Sequence, residues 1–119
     1  MRKFTTGATR DNDTDKLDYE GFLSPLVLER YAQFMHEHRW QVDGKIRASG
    51  NWQRGIPQEA YVKSLLRHVI VLWKLWRNLT VKSEQFGRVW RPPSIEDACC
   101  AIMFNIMGLL FERLRGGKP

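Results

Sequence analysis

Cysteine is nearly absent from this chain of 119 residues: it has only Cys99 and Cys100, side by side. Neighbours on a helix point apart, so the two cannot bridge without strain. No CxxC or Cys/His spacing suits a structural zinc either. Two reduced thiols are therefore expected, and with them a cytoplasmic location.

Long apolar runs are missing too. The longest, "ACCAIMFNIMGLLF" at 98–111, falls short of the ~20 residues a membrane-spanning helix needs, and Asn105 interrupts it. A buried core helix is expected there, and no membrane partner. The opening "MRKFTTGATRDNDTD" has no apolar core of the kind a signal peptide carries. Also missing are a P-loop, a GxSxG elbow, a Ser/His/Asp set and any internal repeat.

What is present is enough to fold. With 43% hydrophobic and 12% aromatic residues the chain can build one core. Its formal charge of +6 favours an anionic partner: a nucleotide, a nucleic acid or an acidic surface. Residues 1–15 show no period and are expected to be a flexible segment; 16–119 read as a single helical domain.

The apolar spacing predicts an all-α bundle of about three main helices, with a long loop between the first two. Ser24 and Pro25 are a cap and a first helical residue, opening a helix over 25–39. Residues 40–56 have no period and contain Gly44, Gly50 and Gly55. So long a connection suggests a lid or binding loop. A second helix runs from Pro57 to about Asn78, where Val62, Leu65, Leu66, Val69, Ile70, Trp73 and Trp76 form one wide face and Val71, Leu72 and Leu75 extend it. A helix apolar nearly all round is central or shared with another subunit, so a homo-oligomer, dimer or tetramer, is expected to complete the bundle. Residues 79–93 read as a connection broken by Gly87 and Pro92-Pro93. Ser94 to Asp97 then open a third helix in capping-box fashion, running to about Arg115 with Gly116-Gly117 as its stop.

Several residues suggest chemistry, each with a plainer role beside it. Glu96 and Asp97 either favour a helix N-terminus or form a carboxylate pair for Mg²⁺. Glu29 and His36 lie two turns apart on one helix face, a spacing open to metal but also to simple solvation. Asn105 needs partners in any core; it either fixes helix register or holds a ligand. His68, beside Arg67, is either a satisfied core histidine or a ligand-binding group. In "GNWQRGIP" Trp52 could stack on a base, Asn51 read its edge, and Arg54 or Arg47 meet phosphates. Trp52 could equally plug the bundle end. Lys63, Arg67, Lys74 and Arg77 form a basic helical stripe, which either tracks nucleic-acid phosphates or faces solvent.

Taken together, "KLDYEGFLSPLVLERYAQFMHEHR", "NWQRGIP", "YVKSLLRH" and "EDACCAIMFNIMGLLFE" resemble the N-terminal domain of phage-type dATP/dGTP diphosphohydrolases, relatives of the MazG-like all-α pyrophosphohydrolases. The resemblance covers residues 16–112. It implies hydrolysis of (deoxy)nucleoside triphosphates, purine dNTPs above all, to monophosphate and pyrophosphate with Mg²⁺ or Mn²⁺. On that reading Glu29, Glu96 and Asp97 serve metal and catalysis. Lys16, Arg54 and Arg67 go to phosphates, His68 and Asn105 to the substrate site, and Asn51 with Trp52 to the base. The sequence departs from the wider superfamily in one respect. That superfamily carries an EExxE cluster on one helix and ExxD on the next, whereas the second helix here has no carboxylate after Glu59. Either metal is held differently, or the chain binds a nucleotide, or a nucleotide-derived signal, without cleaving it. A third alternative, a basic nucleic-acid-binding protein, rests on charge alone.

Overall fold

The computed structural model describes residues 1–12 and 14–116. In order these form β1 (Arg2–Lys3), β2 (Thr9–Arg10), α1 (Tyr19–Phe22), α2 (Pro25–Glu37), α3 (Gln58–Trp76), β3 (Glu84–Phe86), β4 (Val89–Arg91) and α4 (Ile95–Leu114). A 3₁₀ turn, Asn51–Arg54, lies within the long loop. The protein is thus mostly helical, and the all-α expectation is corrected by two antiparallel strand pairs, β1 with β2 and β3 with β4.

Local chemistry sets the main helices. The Ser24 hydroxyl accepts from the Val27 N–H at 3.3 Å, with Pro25 in the first turn. Ser94 and Asp97 form a reciprocal capping box at the start of α4. Such caps contribute about 1 kcal/mol each. Helix α4 ends at Leu114, and Gly116 adopts the left-handed conformation (φ 78°) that closes helices without a Cβ clash; Gly117 lies outside the described residues. The β3–β4 hairpin closes through Gly87-Arg88, where Gly87 supplies a positive φ of 61°. Read as a breaker, Gly87 is in fact the turn that brings Arg91 back toward α4.

Helices α3 and α4 run antiparallel. Tyr61 meets Phe104 and the backbone at Gly108, while His68 and Val71 share a crevice with Ala98 and Ala101. A Cβ at position 108 would overlap the Tyr61 ring. Glycine here lets the two backbones approach. Helix α2 packs on the N-terminal half of α4 around Phe34, Phe86, Cys100 and Ala101, with Tyr31 and Met35 at the margin.

The wide apolar face expected of α3 divides in two. Tyr61, Leu65, His68, Leu72 and Leu75 are at least half-buried. Val62, Leu66, Val69, Ile70, Trp73 and Trp76 are exposed, Trp76 by 75%. Within 1–15, expected without regular structure, Arg2–Lys3 pairs with Thr9–Arg10. No described helix is long and apolar enough to cross a membrane.

Candidate functional site

A cavity of about 410 Å³ opens between α2, the loop segment 47–56 and α4. Three elements build its wall. Helix α2 supplies Tyr31, Ala32, Met35 and His36 from successive turns, then His38 and Arg39 beyond its end. The loop supplies Arg47, Asn51, Trp52 and Ile56, and α4 supplies Phe104 and Met107. Its size is in the usual range for small-molecule sites, and its walls combine aromatic and thioether surface with a few polar groups.

The loop is held by the last turn of α4. Glu112, nearly inaccessible to solvent, accepts from the Ile56 N–H at 3.3 Å. Arg115 donates to Glu112 at 2.8 Å and to the Gln53 carbonyl at 3.0 Å. Gly55, at φ 126°, passes so close that a Cβ would come within 2.8 Å of the Arg115 guanidinium. So clasped, Trp52 presents its indole edge-on to Phe111 (ring centroids 4.8 Å) and Phe104 (6.4 Å). The two alternatives for "GNWQRGIP" are therefore not exclusive: Trp52 covers the end of the helical pair and lines the cavity as well.

The cavity's charge is one-sided. Arg47 is exposed, and its backbone N–H donates to the Arg39 carbonyl at 2.7 Å, which brings the two arginines together. Arg39 touches the carbonyl and the ring Nε2 of His36, each at 3.3 Å. Among the described residues no carboxylate belongs to the lining. Two guanidiniums beside two imidazoles make a wall that is favourable for an anion.

Tyr31 stands where the cavity meets the core. Its hydroxyl is buried with no hydrogen-bond partner among the described residues. Burial first, then the nearby Cys100 thiol, pushes its pKa up to about 12. It is thus a neutral phenol at any physiological pH.

The carboxylates assigned to metal lie elsewhere. Asp97, 2% exposed, accepts from Arg30 at 3.2 Å, from Arg91 at 2.7 Å, and from the Ser94 N–H and hydroxyl at 2.8 and 2.9 Å. Burial alone would raise its pKa. The bonds to Arg91, Ser94 and Arg30 outweigh burial and hold it well below the usual carboxylate range. Glu96 binds the same Arg30 at 2.8 Å. Both oxygens of Asp97 are engaged, Oδ2 by three donors and Oδ1 by Arg30, so it joins α2 and β4 to the start of α4. Glu29 is exposed on α2, three and seven residues before Ala32 and His36 on the cavity-lining stripe. Among the described residues, no three His, Cys, Asp or Glu side chains lie together as a metal-holding group.

The other expected site residues scatter. Asn105 is buried and donates to the Ala101 carbonyl one turn back, at 2.9 Å. His68 is half-buried between α3 and α4 beside Asp97, and burial lowers its pKa. Arg67 is exposed on α3, Arg54 on the loop, and Lys16 ahead of α1; none lines the cavity. Of the expected site residues Asn51 and Trp52 do, together with Arg47, offered for phosphates, and His36, offered for metal. Arg39, Phe104 and Met107 carry little signal in the sequence beyond the basic turn that ends the first helix. The chain matches no family model, no curated protein and no solved structure.

Proposed function

We propose that this protein binds a phosphorylated nucleotide, a purine nucleotide first of all, in the cavity between α2, the 47–56 loop and α4. One observation carries the reading: aromatic and thioether walls meet Arg39 and Arg47 in a cavity with no carboxylate among the described residues that line it. A flat base suits Trp52, Phe104 and Met107, the Asn51 amide can read a base edge, and the guanidiniums of Arg39 and Arg47 suit phosphate oxygens. The protein works as a cytoplasmic homo-oligomer. Calorimetric titration with dATP, dGTP and their monophosphates tests the reading. Saturable binding that weakens in Trp52→Ala and Arg47→Ala is expected; no heat with any nucleotide overturns it.

A second reading adds hydrolysis to monophosphate and pyrophosphate. Glu29, on the cavity-lining stripe of α2, favours it, because Mg²⁺ or Mn²⁺ commonly takes one or two protein carboxylates and completes its shell with substrate phosphates. Glu96 and Asp97 do not fit such a role, being bound to arginines. Pyrophosphate release in Mg²⁺, lost in Glu29→Gln with nucleotide affinity kept, is the expected result. Binding without product leaves a nucleotide-sequestering protein.

A further inference from the structure

The chain exposes 9523 Å², whereas a closed monomer of 14.0 kDa exposes about 6,700 Å². Its radius of gyration is 19.0 Å, against about 13–14 Å for a compact domain of this length. A standard interface buries about 800 Å² per partner. One third of the roughly 2,800 Å² excess would therefore suffice for a stable dimer.

The surplus apolar surface has a pattern. Val62, Leu66, Val69, Trp73 and Trp76 are all exposed, and their spacing alternates four and three residues, as on the seam of a coiled coil. On α4, Ile95, Cys99, Ile106 and Leu110 are exposed. At about 100° per residue, and with the two helices antiparallel, both stripes face one side of the α3–α4 pair. Helix α2 and the cavity occupy α4's other side. A bare two-helix layer of this kind is half of a four-helix bundle.

We infer that a second copy of this chain covers this face, with α3 of each protomer lying on α4 of the other around a two-fold axis parallel to the helices. Charge selects this arrangement over α3 on α3. Arg67, Lys74 and Arg77 are exposed and run along the edge of α3 away from α4, with Lys63 on the same edge paired to Glu59 at 2.8 Å. Stacking α3 on its own copy sets those edges side by side, like charge against like, whereas the crossed arrangement puts them on opposite edges of the dimer. The inference does not depend on what the cavity binds.

The crossed arrangement fixes a pair of positions. Tyr61 lies level with Gly108, and His68 with Ala101, so Val69 lies level with the buried Cys100 and within one residue's rise, about 1.5 Å, of the exposed Cys99. An axis parallel to the helices preserves levels and places Val69 of one copy against Cys99 of the other.

The full chain is weighed in solution by light scattering. Twice the monomer mass is expected, and a monomer at micromolar concentration overturns the proposal. A Val69→Cys, Cys99→Ser chain is then mixed with a differently tagged unmodified chain under mild oxidation. A disulfide joining the two tags is expected, absent when both carry Cys99→Ser. Its failure to form, or a bond between two Val69→Cys chains instead, overturns the crossed arrangement. Leu66→Glu with Ile106→Glu is expected to give monomers that keep their helical circular dichroism, since neither side chain faces α2 or the cavity.

Discussion

Two arginine pairs in this molecule behave in opposite ways. At the start of α4, Arg30 and Arg91 close on Asp97 and Glu96, so their charge is neutralised inside the fold. Across the cavity, Arg39 and Arg47 meet no carboxylate among the described residues. The residue types are the same, but the counter-charge differs. Where the fold supplies an anion, arginine is a joint between elements. Where it supplies none, the arginine charge is left open to the cavity. The carboxylates most suggestive of catalysis thus belong to the joint, and the cavity holds cations.

Breaking the joint gives the largest effect. Asp97→Ala leaves two guanidiniums and a helix cap without their acceptor and costs about 3 kcal/mol, the low end for a buried pair because both arginines are partly exposed. Thermal unfolding followed by circular dichroism should fall by roughly 10 °C. A shift of a degree or two would show Asp97 to be dispensable and reopen it to a ligand. Next comes Gly108→Ala. Overlap with the Tyr61 ring costs about 1–3 kcal/mol, read in the same melt. Because Gly108 lies far from Asp97 on α4, the two losses should add.

On the cavity side, Trp52→Ala should weaken nucleotide binding roughly 10- to 100-fold, the worth of one stacked base. Calorimetry separates this from the smaller stability loss at Phe104 and Phe111. Arg47→Ala should cost roughly tenfold in affinity and flatten its salt dependence, while barely moving the melt. The opposite result, a lower melting temperature with unchanged affinity, would make Arg47 another joint. The smallest effect is a pH dependence. Burial holds the His68 pKa below its usual value, so its contribution is complete above about pH 6.5 and is lost as pH falls through the folded-state value. His68→Gln should flatten the melting curve's pH dependence over that mildly acidic range.

What could be read in advance follows from how local each signal is. Ser24, Pro25 and the Ser94–Asp97 box act over one turn, so the main helices were legible to within about two residues. Strands β3 and β4 are three residues each, too short to show alternation in the sequence. Asn51 and Trp52 stood out because a tryptophan in a glycine-rich loop needs a reason. The meaning of Asp97 was hidden because Arg30 lies 67 positions away in the chain. Arg39 and Arg47 are joined by a backbone bond across a loop without periodicity, and nothing in their spacing announces it.

The clasp on the 51–56 segment also sets an order of events. Glu112 and Arg115 belong to the last turn and cap of α4, yet they hold a wall formed by residues made much earlier. During synthesis that wall stays unfastened until the chain through Arg115 has left the ribosome. A nascent polypeptide therefore cannot close this wall before the last turn of α4 is made, and Glu112→Ala would spare most of the helical scaffold while loosening the wall.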